Sequence, residues 1–229
     1  MKKIFILIII IFSFSLVSEA IPIPKNNKAT FDVIRKNKVI GSIETIFKIN
    51  KDKLIINTVV DIEVKVLFIP AYKFLQKSEE TWSSGQFIEI NAYTDFEDER
   101  EYYVKGKVKN NSFYASGMDG ELVLDKDILP LNYWNKNILN KKNVFDTQKG
   151  IVREISVQQL NDEIIEINKI KINTKKYILN ASSNPKDKGP FPEYTLWYAE
   201  NDELVKFKFT NWKDKKEVIT QRNNWESNN

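Results

Sequence analysis

The sequence predicts an all-β fold, mainly antiparallel, in which one strongly curved sheet forms an open or closed β-barrel with one short helix. Three observations carry this reading. Apolar residues recur with a period of two, turn residues separate these runs, and only residues 134–140 have helical character. Side chains of a strand alternate between faces, so a period of two sets one apolar face on a core and the other toward water. Consecutive hairpins without crossover helices imply antiparallel pairing, and a long sheet of that kind coils on itself.

The elements follow in order. Lys2 and Lys3 precede an uncharged, mostly apolar run over residues 4–17, and Ser18 and Ala20 are small residues placed for a cut. The run is shorter than the about 20 apolar residues that cross a bilayer, so residues 1–20 are expected to form a cleavable signal peptide. No cysteine follows the run, so no lipid anchor is expected there. Pro22 and Pro24 then make an extended leader. Residues 31–35 pair with the alternating Val39, Gly41, Ile43, Thr45, Phe47 and Ile49 across Lys36, Asn37 and Lys38. Residues 54–68 alternate for 15 positions, a strand on the order of 50 Å long that must bend or break, and bending is the better account.

Residues 72–82 and 87–94 flank the turn 83–86 as the next hairpin. Residues 102–108 and 112–124 flank Asn110 and Asn111, with Gly117 and Gly120 marking a bulge or bend in the second strand. Residues 151–157 and 163–172 flank Asn161 and Asp162, and the change of apolar parity between Ile167 and Ile170 predicts a bulge near Asn168. Segments 177–181, 194–198, 204–209 and 217–221 complete roughly a dozen strands. The longest loops, 125–142 and 182–192, do not have the composition of linkers, so residues 21–229 are read as one domain.

Composition excludes several functions. Cysteine and histidine are absent, which removes the thiol nucleophile, the commonest general base and the usual soft metal ligands. No cofactor and no metal site are therefore expected. The net charge of +4 falls to +3 without the leader, and the charges of both signs are interspersed, so nucleic acid is not an expected partner. The acidic run Asp95, Glu97, Asp98, Glu99 and Glu101 lacks EF-hand spacing and reads as a solvated turn. Glu79 and Glu80 are neighbours in a strand and must face opposite ways, which spoils them as a catalytic pair.

Several groups of residues together resemble a bacterial family catalogued as domain of unknown function 6134. They are residues 61–70 with Tyr72, the stretch Ser78 to Trp82 with Gly85, and Tyr133, Trp134 and Asn135. Phe145 to Gln148 with Gly150, Leu196 to Tyr198 with Leu204 to Lys206, and Phe31 to Val33 with Gly41 complete the set. The resemblance spans nearly all of residues 21–229 and implies secreted or periplasmic, β-rich proteins without an assigned activity. Some relatives carry a histidine near the position of Gln76, and this chain departs there, which argues against a shared catalytic histidine.

Binding groups tend to lie on loops held by a rigid scaffold. Tyr133, Trp134, Phe145, Asp146, Gln148 and Gly150 combine aromatic bodies and polar tips in the least regular long segment, and they are the candidate ligand- or partner-binding residues. Each also has a plain structural role available: Trp134 as a plug for one barrel end, Asp146 as a turn cap, Gly150 as a residue at positive φ. Three functional readings follow. The first is an envelope binding or carrier module for an apolar small molecule, lipid or lipoprotein acyl group. The second is an interaction protein docking an envelope partner through a sheet edge or the 133–150 segment, and the third is a carboxylate-dependent hydrolase. The periplasm is the expected location, with the extracellular space as the alternative, and no stable membrane anchor is expected after cleavage.

Overall fold

The computed structural model describes residues 21–66, 69–96 and 100–226. The signal-peptide reading of residues 1–20 and the middle of the acidic run lie outside them. Eight strands form an uninterrupted meander: β1 (Lys28–Arg35), β2 (Lys38–Asn50), β3 (Lys53–Val66), β4 (Ile69–Ser83), β5 (Gln86–Asp95), β6 (Glu101–Lys109), β7 (Ser112–Gly117) and β8 (Gly120–Asp125). The two-residue strand β9 (Leu129–Pro130) precedes a 3₁₀ helix at Lys136–Asn140. Then come β10 (Asn143–Asp146), β11 (Ile151–Gln159), β12 (Glu163–Ile167), β13 (Ile170–Ala181), β14 (Tyr194–Ala199), β15 (Leu204–Thr210) and β16 (Glu217–Arg222).

All sixteen join one sheet in the order β8-β7-β6-β5-β4-β3-β2-β1-β16-β15-β14-β13-β11-β10-β9, with β12 on the far half of β13. Every pairing is antiparallel except β9 with β10. The fold is therefore all-β and mainly antiparallel, as the periodicity predicts. The long third strand runs unbroken to Val66, with a register shift against β4 between Val64 and Lys65. Its alternation is kept by bending, since a bulge adds local twist.

Three local expectations need correction. Gly117 and Gly120 end two separate strands, with φ of +85° at Gly120, so the segment is a hairpin and not one bent strand. Asn168 and Lys169 take φ of 51° and 68° and form the β12–β13 turn, so the parity change there marks a reversal of the chain instead of a bulge. Consequently β11 pairs with the second half of β13 and not with β12.

The sheet curls so that its concave face encloses one core. Trp82, Phe87, Phe113, Phe145, Ile56, Ile90, Leu179, Leu196 and Tyr198 are among its fully buried side chains. Each such aliphatic or Phe side chain contributes about 1.5–3 kcal/mol on leaving water. Closure is by contact between turns: the Met118 N–H donates to the Lys149 carbonyl at 2.7 Å. Gly117 and Gly150 meet so closely that a Cβ on Gly150 would lie 2.7 Å from the Gly117 Cα. The β2–β3, β4–β5 and β6–β7 turns define a lower rim; the β7–β8 and β10–β11 turns lie on the opposite, upper one. A second, smaller cluster of Ile165, Ile167, Ile172, Trp197, Ala199 and Val205 packs where β12 and β13 meet β14 and β15. Among the described residues no helix is long and apolar enough to cross a membrane.

Candidate functional site

The inner wall differs between the two rims. Near the lower rim it is sealed, with Ile56, Ile90 and Phe113 at 0–1% exposure, whereas Ser78 and Ala92, one step higher, and Val60, a further step up, reach 8–9%. Ile43, Thr58 and Tyr102 beside them are only half-buried. Strand register aligns Thr45, Thr58, Ser78 and Ala92 as a row of small side chains across β2, β3, β4 and β5. Small residues fill a concave wall less than large ones would, and this row lies between the sealed lower wall and the upper rim, with the Thr45 and Thr58 hydroxyls 3.1 Å apart.

The wall of β4 is set by alternation: Phe74, Gln76, Ser78, Glu80 and Trp82 point inward while Glu79 is exposed. The two adjacent glutamates thus face opposite ways, as expected for a strand. Glu80 lies under the segment 131–142, which enters the barrel and closes its lower half. Its carboxylate accepts from Asn132 Nδ2 at 3.0 Å to each oxygen and from Trp82 Nε1 at 3.0 Å. Asn132 Oδ1 in turn accepts from the Asn135 N–H at 3.3 Å, and Asn135 caps the 3₁₀ helix. Burial pushes the Glu80 carboxyl up to about 7, and the hydrogen bonds from Asn132 and Trp82, with the Trp134 N–H nearby, pull against that rise.

The six sequence-predicted residues divide between these places. Trp134 sits in the plug with its ring edge-on to Phe47 and Trp82, both at 5.6 Å. Phe145 packs on Phe113 in the core. Tyr133 lies against Tyr194 and Phe207, its backbone carbonyl accepts from the Tyr198 hydroxyl at 2.9 Å, and burial pushes its phenol well upward. Asp146 caps the β10–β11 turn by accepting from the Gln148 N–H at 2.8 Å, and Gly150 closes that turn at a φ of +70°. Gln148 reaches Gln76 on the β4 wall at 3.4 Å, and Gln76 reaches Thr147 at the same distance. The 133–150 segment therefore contributes the plug below and the polar turn above, instead of one cluster.

Sequence reading missed the charged network beside that turn. Arg153 donates to Asp146 at 2.6 Å and to Asp187 at 3.1 Å, and Lys149 pairs with Asp187. Burial acts to raise Asp187, but the hydrogen bonds from Arg153, Lys149 and the Asn184 N–H outweigh it and hold the carboxyl at about 2. The loop 182–193 bearing Asp187 is pinned further by Asn184 and Lys186 on Asp119 and by Gly189 under the Trp212 ring. Nothing in the local sequence linked Arg153 to a residue more than 30 positions away.

A curled antiparallel sheet with a plugged lower rim belongs to the β-barrel-like class. A solved structure of that kind, a β-barrel-like protein of domain of unknown function DUF1849 from Brucella abortus, is similar over 85% of this chain and 94% of its own, at 10% identity and a TM-score of 0.60. The family described as domain of unknown function DUF6134 matches residues 31–218, and the chain belongs to it. Weaker likenesses are to a protein from Bacteroides fragilis, described as a candidate exported protein with a YmcC-like fold (12% identity, TM-score 0.39, 90% of this chain and 98% of that one), and to a candidate lipoprotein from Parabacteroides distasonis (11%, 0.36, 88% and 95%). No curated protein matches.

Proposed function

We propose that this chain is an exported, non-enzymatic binding module whose barrel-like sheet receives the apolar part of a ligand, such as an acyl chain, through the upper rim. The observation that carries this reading is the row Thr45, Thr58, Ser78 and Ala92 on the inner wall. The row has Ile43 and Val60 beside it and the uncharged Gln76, bonded to Thr147 and Gln148, on its upper side, and this reading takes it as the surface on which an apolar chain would rest. Binding sites for small molecules are concave and mostly apolar with a few placed polar groups. Export rests on the apolar leader at residues 4–17.

The test is native mass spectrometry of protein recovered from the periplasm of a bacterial host expressing the whole chain. A lipid-sized adduct is expected that leaves on denaturation and is lost in Thr58→Trp, which puts a large ring in the middle of that row. A bare mass for the wild-type protein, repeated after incubation with fatty-acid and phospholipid vesicles, would overturn the reading. Attention would then move to β8, whose outer edge has no ladder partner among the described residues.

A further inference from the structure

Four neutral hydrogen-bonding side chains meet on the inner wall beside the β10–β11 turn, and they satisfy one another poorly. Thr94, on the inward side of β5, is 0% exposed, and its hydroxyl has no hydrogen-bond partner among the described residues. Such a hydroxyl is disfavoured in a folded protein unless something else meets it. Directly opposite it on β4 is Gln76, also buried, and ladder geometry sets the two Cβ atoms about 5 Å apart. The Gln76 amide reaches Thr147 and Gln148 of the turn, both at 3.4 Å. These contacts exceed the about 2.7–3.2 Å of a well-made N–H···O bond. The pair Gln76 and Thr94 lies one step above Ser78 and Ala92, so it stands at the upper end of the row of small side chains.

The charges around the turn balance, with Asp146 and Asp187 meeting Arg153 and Lys149. Arg100 and Lys149 both approach the Phe96 ring, at 5.2 and 5.7 Å. Hydroxyls and amides suit an uncharged group that both donates and accepts. A carboxylate set among them would be buried against neutral partners, which is costly. We propose, resting on the binding reading above, that Thr94, Gln76, Thr147 and Gln148 receive the polar end of the ligand, and that this end is uncharged: the hydroxyl or ester of an acylglycerol-type lipid, not a free fatty-acid carboxylate. The acyl chain then runs down over Ser78 and Ala92 while the head stays beside the turn, and the Thr94 hydroxyl gains its missing partner.

The experiment titrates protein recovered from the periplasm and freed of adduct with monopalmitoylglycerol and with palmitate, read by native mass spectrometry. The wild-type protein should hold the glycerol ester more tightly than palmitate. Thr94→Val keeps the side chain's shape and should lose about tenfold in affinity for the ester relative to palmitate, as removal of one hydrogen bond does. Without ligand, its urea midpoint should equal or exceed that of the wild type, because the deleted hydroxyl has no partner to lose. If the wild-type protein takes up neither lipid, the binding reading itself fails, and this subsite with it. If it binds both equally or prefers palmitate, the binding reading stands and the uncharged subsite is wrong. Unchanged relative affinity for the ester in Thr94→Val, or a lowered midpoint showing that a fixed water already holds the hydroxyl, overturns it as well. Should Thr94→Val fail to fold, Gln148→Ala on the half-buried turn carries the test, and its affinity for the ester relative to palmitate must fall.

Discussion

Arg153 is 2% exposed yet charged, and it keeps that charge because Asp146 and Asp187 meet its guanidinium from the turn below and the loop above. Removing one partner of a buried ionic group costs more than the pair contributes, because the remaining charges are left without compensation. Arg153→Met should therefore lower stability by about 3–5 kcal/mol in urea unfolding. Asp187 carries a second signature. Its carboxyl is held at about 2, so its contribution is present above the ordinary value of 3.8 and is lost as pH falls toward 2. In Arg153→Met that acid loss should be smaller and end at a higher pH, and an unchanged acid limb would mean that Lys149 alone holds Asp187. At this scale the sequence was partly legible. Asp146 as a turn cap and Gly150 at positive φ follow from residue type, because short polar side chains and glycine satisfy turn geometry locally. Arg153 was not legible, because its partners are fixed by tertiary contact and no local pattern encodes them.

Strands and most of their turns were readable, and two hairpin turns were misread. A period of two survives wherever one face is buried, which is why β3 and β5 were found nearly at their observed lengths. The turn Asn168-Lys169 was hidden because Lys169 at a φ of 68° is a poor left-handed residue, and a break in parity without glycine looks like a bulge. The two-residue turn joins antiparallel strands in a geometry that favours Asn-Gly. Lys169→Gly should accordingly stabilise the protein by about 1 kcal/mol through relief of the left-handed conformation. A rise of a few degrees in the thermal midpoint is the expected reading; a fall would mean that the lysine side chain stabilises the turn in a way that outweighs its backbone cost. The plug shows the opposite case, an element whose aromatic content was visible while its path into the barrel was not. Glu80 fixes that path from a strand 52 residues away.

At the scale of the molecule, the sheet consists of two halves joined by one ladder. Strands β1 to β8 form a local meander, and β9 to β15 form the other side; among the described residues only the pairing of β1 with β16 connects them within the sheet. The last strand therefore completes the structure, pairing Phe31 with Arg222 and Lys206 with Gln221 on its two edges. Asn223 and Asn224 reinforce the seam by contacts to Thr30, Asp32 and Lys28. Contacts so distant in sequence form late, because the intervening chain must be ordered before they repay the loss of entropy. A chain ending after residue 216 should lose its cooperative unfolding transition by circular dichroism, although most of its apolar residues remain. A chain ending after residue 222 keeps the ladder and loses the reinforcing asparagines together with Trp225, which packs on the second cluster, so it should unfold cooperatively at a lower denaturant midpoint. If the shorter chain unfolded as sharply as the longer one, the halves would be held by the plug and the turn contact of Gly117 with Gly150, and β16 would be an accessory strand.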